Sequence, residues 1–495
     1  MRSEPQNFQT KNGRRLTPCG QTRREFLWEA GGGFAGTALT FLLAQDGFFG
    51  HTVHAASGKP PSLDTGAPHF PAKARACIFL FMYGGPSQMD LWDPKPELNK
   101  QDGQPMPGLD ADPLLKLRKK RIGGLMGTPF SFRKWGESGI EVSELFPHQA
   151  ECVDEMAVFR GTYADSFAHG SGLLQMNTGF LRQGHPSLGS WVTYGLGSEN
   201  RNLPGYVVMV DHRGGPISGP PNWSSGFMPA TYQGTQLRSE GDPILFLKPQ
   251  EGVTPAQQGH QLRLLSRLNR MRGAAGPENS ELMARIASYE LAFRMQQSAP
   301  EAVDLARESQ ATRRMYGLEN PETEKFGRKC LIARRLVERG VRFIQVYSGG
   351  GHGDDTWDAH SNVVKNHTVH CRQTDLPIAG LLRDLKSRGL LESTLVVWAG
   401  EFGRTPTSQR GKGRDHSPRG FTTWMAGGGV RGGQVIGATD DFGYEAVEDK
   451  VHVHDLHATI LHLMGLDHEL LTYFHGGREM SLTDVHGQVI RKALA

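Results

Sequence analysis

Two runs of this chain are apolar without interruption: Ala76-Cys-Ile-Phe-Leu-Phe-Met82 and Leu395-Val-Val-Trp-Ala399. A strand with one wet face alternates apolar and polar residues, because successive side chains point to opposite sides. Unbroken apolar runs instead fit strands covered on both faces, as in a parallel sheet packed between helices. Met156–Arg160, Gly205–Val210, Val341–Tyr347 and Phe421–Ala426 read as further strands. Helices are expected at Glu144–Asp154, from Leu173, at Pro186–Gly195, Lys325–Arg339, Thr374–Arg388 and Val453–Met464, with Gly389 as a C-cap. This alternation predicts an α/β sandwich.

Residues 94–135 are rich in Pro, Lys and Gly and read as irregular. From about Thr254 to Tyr316 the character changes. Leu262, Leu265 and Leu268, then Met283, Ile286, Tyr289, Leu291 and Phe293, recur at helical spacing. They predict a helical insertion of two or three amphipathic helices, the stripe serving packing.

The N-terminus reads as an export signal. Thr22-Arg-Arg-Glu-Phe-Leu27 fits the twin-arginine pattern, Ala30–Leu43 is a short apolar segment, and Val53-His-Ala-Ala56 is a small-residue cleavage site. The expected organisation is a signal peptide over 1–56, a linker over 57–70 and one domain over 71–495. The product would be periplasmic or extracellular, with no membrane span after cleavage, or with the signal retained as an anchor. That route carries folded proteins, so a metal could be loaded before export. A formal net charge of +4 without a long basic run argues against nucleic acid as a partner. Cys77, Cys152, Cys330 and Cys371 form no Cys-x-x-Cys pair, so neither a zinc knot nor a disulfide framework is indicated.

The chemistry gathers where the strands stop. Ligands of open α/β sheets bind beyond the carboxyl ends of the strands. Ser87, Gln88 and Asp90 follow the run Ala76–Met82; Asp165, Ser166 and His169 follow the strand expected at Met156–Arg160. A Gly349-Gly-Gly-His352 segment leads to Asp358 and His360. Glu401 and Arg404 follow Ala399, and Asp415 and His416 come from a loop after a glycine-rich turn. His452, His454, Asp455 and His457 lie near a helix start. Acids and imidazoles together suit a divalent metal, and Arg404 suits an anion clamp. Each group also has a plainer reading: Asp358 and Asp455 as helix N-caps, His360 as a surface imidazole.

Gly84-Gly-Pro-Ser-Gln-Met-Asp-Leu-Trp-Asp-Pro-Lys-Pro96, Trp357-Asp-Ala-His360, Gly400-Glu-Phe-Gly-Arg-Thr-Pro406 and Gly413-Arg-Asp-His-Ser-Pro418 resemble the DUF1501 family, sulfatase-like exported proteins of the alkaline phosphatase superfamily. The resemblance spans about residues 71 to 490. It implies an alkaline-phosphatase-like three-layer α/β/α sandwich with a mostly parallel sheet. It also implies one or two divalent ions (zinc, manganese or calcium) held among Asp358, His360, Glu401, Asp415 and His416. The superfamily's Asp-His metal pair falls at Glu401-Phe402, which keeps the acid and loses the histidine. The position that opens the nucleophile helix carries His169, as metal ligand or nucleophile, with Ser166 or Ser171 as other nucleophiles. The first-strand aspartate is absent where Tyr83 and Gly84 stand, and Asp90 is the nearest substitute. No cysteine lies in a formylglycine motif, so a standard sulfatase is not expected. These features imply a metal-dependent hydrolase of phosphate or sulfate esters, its partner an anionic ester. Two rivals stand beside it: a non-catalytic binding or scaffold protein that meets other exported proteins, and a metal-dependent mutase or transferase.

Overall fold

The computed structural model describes residues 66–108, 122–238, 254–273, 290–291, 293–295 and 299–495. The expected export signal, most of the expected linker and much of the expected insertion lie outside these residues. Within the insertion, a helix runs Pro255–Gly273 and a short one Gln310–Met315.

The centre is strand β1, Ala76–Met82, buried along its whole length. Further strands follow in chain order: β2 Ile122–Leu125, β3 Met156–Tyr163, β4 Tyr206–Met209, β5 Thr235–Gln236, β6 Phe343–Ser348, β7 Thr394–Ala399, β8 Gly403–Gln409, β9 Gly413–Ser417, β10 Phe421–Ala426, β11 Gln434–Ile436 and β12 Val451–His452. The main sheet has nine strands in the order β11-β3-β10-β7-β1-β6-β4-β5, with β12 beside β3. Every pairing is parallel except those of β10, which runs against both β3 and β7.

The period of two along β1 divides the core. Ile78, Leu80 and Met82 point into one apolar cluster, with helix α1 (Glu324–Glu338) and helix α2 (Val363–Ser387) over them. Cys77, Phe79 and Phe81 point into the other, beneath the helices His169–Thr178, Leu188–Leu196 and Val453–Leu463. Helices on both faces make three layers, the solution for strands apolar on both sides. Cys77, Cys152, Cys330 and Cys371 are buried as free thiols, and burial pushes the Cys152 thiol up to about 11. Among the described residues no helix is long and apolar enough to cross a membrane.

Four local expectations change. Glu144–Asp154 is not a helix: Pro147 interrupts it, Ile140–Ser143 pairs as a strand with Phe132–Trp135, and only a 3-10 stretch follows at Gln149–Glu155. Helix α2 starts eleven residues before Thr374, where Asn362 accepts a hydrogen bond from the Lys365 amide at 3.0 Å. Its first turns bury Asn366, His367 and His370 at helical spacing, polar residues that an apolar pattern does not count. Asp415 and His416 come from a hairpin rather than a loop: β8 and β9 pair antiparallel, with β2 alongside. The irregular reading of 94–135 likewise gives way at Pro96–Lys100, a short helix, and at β2.

Candidate metal centre

β1 lies between β7 and β6 and parallel to both, so the carboxyl ends of the three strands lie side by side. That is where open α/β sheets form their clefts. Tyr83-Gly84 follows β1, the segment 349–360 follows β6, and Gly400-Glu401 follows β7. Gly84 has a φ of +118°, and its amide donates to Glu401 Oε1 at 3.0 Å. A side chain at Gly84 would meet the Trp357 amide, so the approach needs glycine.

Four side chains converge in front of this corner. Donor atoms of His169, Asp358, His360 and His416 all lie within 4.8 Å of one another. Each imidazole has its Nδ1 anchored from behind. His169 Nδ1 donates to Glu401 Oε1 at 2.6 Å. His416 Nδ1 donates to the Phe167 carbonyl at 2.8 Å. His360 Nδ1 donates to Gln409 Oε1. A carboxylate and carbonyls only accept, so each Nδ1 carries a proton, and each ring in its neutral form keeps its lone pair on Nε2.

All three Nε2 atoms face Asp358: His416 at 3.0 Å and His360 at 3.1 Å from Oδ1, His169 at 3.3 Å from Oδ2. His169 Nε2 is buried without a hydrogen-bond partner. Burial holds the His416 pKa down at about 3, and the buried Arg404 charge and His169 beside it oppose protonation despite the Asp358 bond. Its neutral Nε2 therefore sets an acceptor against a carboxylate. A cation between them removes that conflict. Spacings of 3.0–3.3 Å are close to the edge of a tetrahedron with arms of about 2.0–2.1 Å. A histidine ligand whose other ring nitrogen donates to a carboxylate, carbonyl or amide is the usual supporting arrangement. This His/Asp cluster could hold a metal ion.

Burial would lower the His169 pKa, yet the Asp358 and Glu401 carboxylates raise it to about 9, so without an ion this ring holds a second proton that a bound cation would displace. Burial opposes the Asp358 charge, and Arg404, His169 and His416 together hold its carboxyl well below the usual range. Burial pushes His360 down, with Arg404 acting the same way. Phe402 is fully buried, its ring 5.0 Å from His169 and 4.5 Å from His416. It forms an apolar wall where the resemblance led one to look for a histidine.

The other sequence candidates take different places. Glu401 supports His169 from behind rather than joining the four donors. Asp415 Oδ1 accepts from the His416 amide at 2.9 Å and lies 3.9 Å from His360 Nδ1, at the rim. Asp90 is fully buried against Arg414, at 2.7 and 3.1 Å, and Ser87, away from the cluster. Arg404 is a correction to the anion-clamp reading. It is fully buried, and its guanidinium donates to the carbonyls of Gly84, Gly85, Trp357 and Arg414 and to Asp358 Oδ1 at 2.8 Å. It ties the ends of β1 and the 357–358 segment to the hairpin. Ser166 and Ser171 bond each other at 2.6 Å.

Sequence reasoning missed Gln409 and the Phe167 carbonyl. A backbone carbonyl leaves no mark in a sequence, and a single Gln on a strand carries no pattern. It also missed Arg410, which sits at the hairpin turn with φ +53° and lines a cavity of about 570 Å³. Asp358, His360, Asp415 and His416 border that cavity, with Phe167 and Asp354 opposite.

No curated protein matches this sequence. Among solved structures, the chain is similar to a lipoteichoic acid synthase from Listeria monocytogenes, at 9% identity and a TM-score of 0.36 over 84% of this chain and 76% of that one. It is similar to a sulfatase from Pseudoalteromonas sp. at 13% identity and TM-score 0.35, over 80% and 68%. A phosphonate monoester hydrolase from Silicibacter pomeroyi gives 12% identity and TM-score 0.32, over 70% and 71%. The model of the family described as "Protein of unknown function (DUF1501)" matches residues 74–494, and the chain belongs to the DUF1501 family.

Proposed function

We propose that this chain is an exported hydrolase of phosphate or sulfate esters that works with one divalent ion held by His169, His360, His416 and Asp358. One observation carries the reading: three imidazoles, each fixed through Nδ1, aim Nε2 at a single carboxylate. Three nitrogen donors suit zinc and argue against calcium, which takes oxygen ligands. The count is one because the spare acids are engaged: Asp90 by Arg414, and Glu401 by His169 and Gly84. Bound there, such an ion supplies Lewis acidity toward an ester oxygen and lowers the pKa of water.

The chain's own residues set the rest. Glu401 holds the His169 proton on Nδ1, and Arg404 fixes Asp358. No hydroxyl or thiol stands among the four donors, and Ser166 and Ser171 hold each other, so water is the nucleophile. Arg410 is the cation at the cavity wall that meets the anionic head of the ester. Export rests on the arginine pair and cleavage pattern over residues 22–56.

The test is metal analysis of the purified mature protein together with turnover of aryl phosphates and aryl sulfates. About one equivalent of zinc or manganese, with hydrolysis lost in His360→Ala, is expected. A folded, metal-free protein inert toward both esters would overturn the proposal. That result would favour the rival reading of an exported binding or scaffold protein. Its support is the sealed Arg404, which leaves the donor cluster without a guanidinium facing the cavity from β8.

A further inference from the structure

A second hollow, of about 740 Å³, adjoins the first across the β8–β9 turn. The two share a wall. Gln409 and Arg410 border the histidine cavity, and Gly411 and Lys412 border the second. On the facing segment, Ser361 borders the first, and Asn362 to Lys365 border the second. The wall is stitched in place. The Val363 amide donates to the Lys412 carbonyl at 2.9 Å, and the Arg414 amide to the Ala359 carbonyl at 3.0 Å. A side chain at Gly413 would collide with the His360 carbonyl, so the strand lies directly on that segment.

The second hollow has its own chemistry. Met126, Pro129 and Val364 give it apolar surface, and Val364 is 44% exposed. Its acceptors are already in use: Asn99 Oδ1 by the Thr128 amide, Asp102 Oδ1 by the Gly127 amide, Asn362 Oδ1 by the Lys365 amide. Asp102 keeps its negative charge at this wall, and two lysines outnumber it. Lys365 and Lys412 are exposed, and neither has an ion-pair partner among the described residues; the same holds for Arg410 on the crest.

We infer that the two hollows form one bipartite cleft for an extended polyanionic ester. The scissile head lies at the histidines, the linking part crosses the turn at Arg410, and a second anionic group meets Lys365 and Lys412. This deepens the hydrolase reading and rests on it. A small monoester would fill only the first hollow, and an ester with an apolar tail would leave both ammonium groups unmatched. Two anchors on one ligand raise affinity by effective concentration, provided the linker spans both.

The experiment is calorimetric titration of zinc-loaded protein with inorganic phosphate and with linear α,ω-alkanediol bisphosphates of two to ten carbons. Affinity is expected to rise roughly tenfold or more above phosphate once the chain spans the turn, and to fall back in 1 M salt. Lys365→Ala/Lys412→Ala should remove the gain and leave phosphate binding unchanged. Val364→Trp, which fills the hollow, should do the same by a different route. Binding of phosphate with no dependence on chain length overturns the bipartite cleft alone. So does a gain that survives both variants. Failure of phosphate itself to bind overturns the hydrolase reading and this one with it.

Discussion

Two histidine clusters among the described residues are wired in opposite senses. At the candidate metal centre, Nδ1 of each ring is anchored and Nε2 faces one carboxylate. At the start of the helix Val453–Leu463, the order is reversed. His454 Nε2 donates to the Gly179 carbonyl at 2.7 Å and His457 Nε2 to the Met176 carbonyl at 2.8 Å, and their Nδ1 atoms are buried without partners. These rings clamp the end of the helix His169–Thr178, whose last carbonyls need donors. His452 caps its own helix: its Nδ1 accepts from the His454 amide at 3.2 Å, and Asp455 Oδ2 accepts from the His452 amide at 2.7 Å. Asp455 therefore sits three residues inside the cap rather than at it. The lesson is that a ring's second partner, not the number of nearby imidazoles, separates a ligand from a strut.

The largest expected effect tests that division directly. His360→Ala, His416→Ala and Asp358→Ala should each bring the metal content of purified protein down to background, since each removes one of four donors. His454→Ala and His457→Ala should leave it unchanged. Elemental analysis after dialysis against a weak chelator checks this. Metal loss in the second pair would erase the distinction between the clusters.

Stability should divide the other way. His457 is buried and bonds a helix-end carbonyl, so His457→Ala leaves a void and an unpaired acceptor. A loss of roughly 2–4 kcal/mol is expected in denaturant melts. His360 is part-exposed at the cavity rim, so in metal-free protein His360→Ala should change stability far less. Next in size is the supporting carboxylate. Glu401→Gln keeps the shape but loses the charge behind His169, and metal affinity should weaken about 10- to 100-fold with no large change in the apo melt. Chelator competition measures it. An unchanged affinity would mean that Glu401 serves only the Gly84 turn.

The sandwich was legible because β1 and β7 are apolar on both faces, and only a covered parallel sheet accommodates that. The corner that gathers the donors was legible for the same reason, as polar residues begin where those strands stop. The division of labour inside the corner was not. Glu401, Arg404 and Asp90 are ordinary ligand or clamp residues in type, and what assigns them is the hydrogen-bond partner each finds across more than 200 residues of chain. The hairpin was obscured by composition. Arg404, Thr405, Thr407, Arg414 and Ser417 are buried polar residues, and a period-two apolar pattern cannot register them.

The smallest effect concerns acid. Burial, and then the neighbouring His454, holds the His457 pKa at about 3, against about 6.5 in an unfolded chain. Below pH 6.5 the unfolded chain takes up a proton that the folded ring refuses. Stability is therefore fully present above that pH and falls by about 1.4 kcal/mol per unit as pH drops toward 3. His367 behaves alike: burial leads, and its Nε2 accepts from the Ser87 amide at 2.9 Å, which holds the ring neutral with a pKa of about 3. His457→Gln retains an N–H for the Met176 carbonyl and deletes one titration. Denaturant melts of the metal-free protein at pH 7, 6 and 5 should show a slope shallower by about 1.4 kcal/mol per unit in that variant. An unaltered slope would mean that His457 is already charged in the fold, and the helix-end clamp would then have to be redrawn as a charge-assisted hydrogen bond.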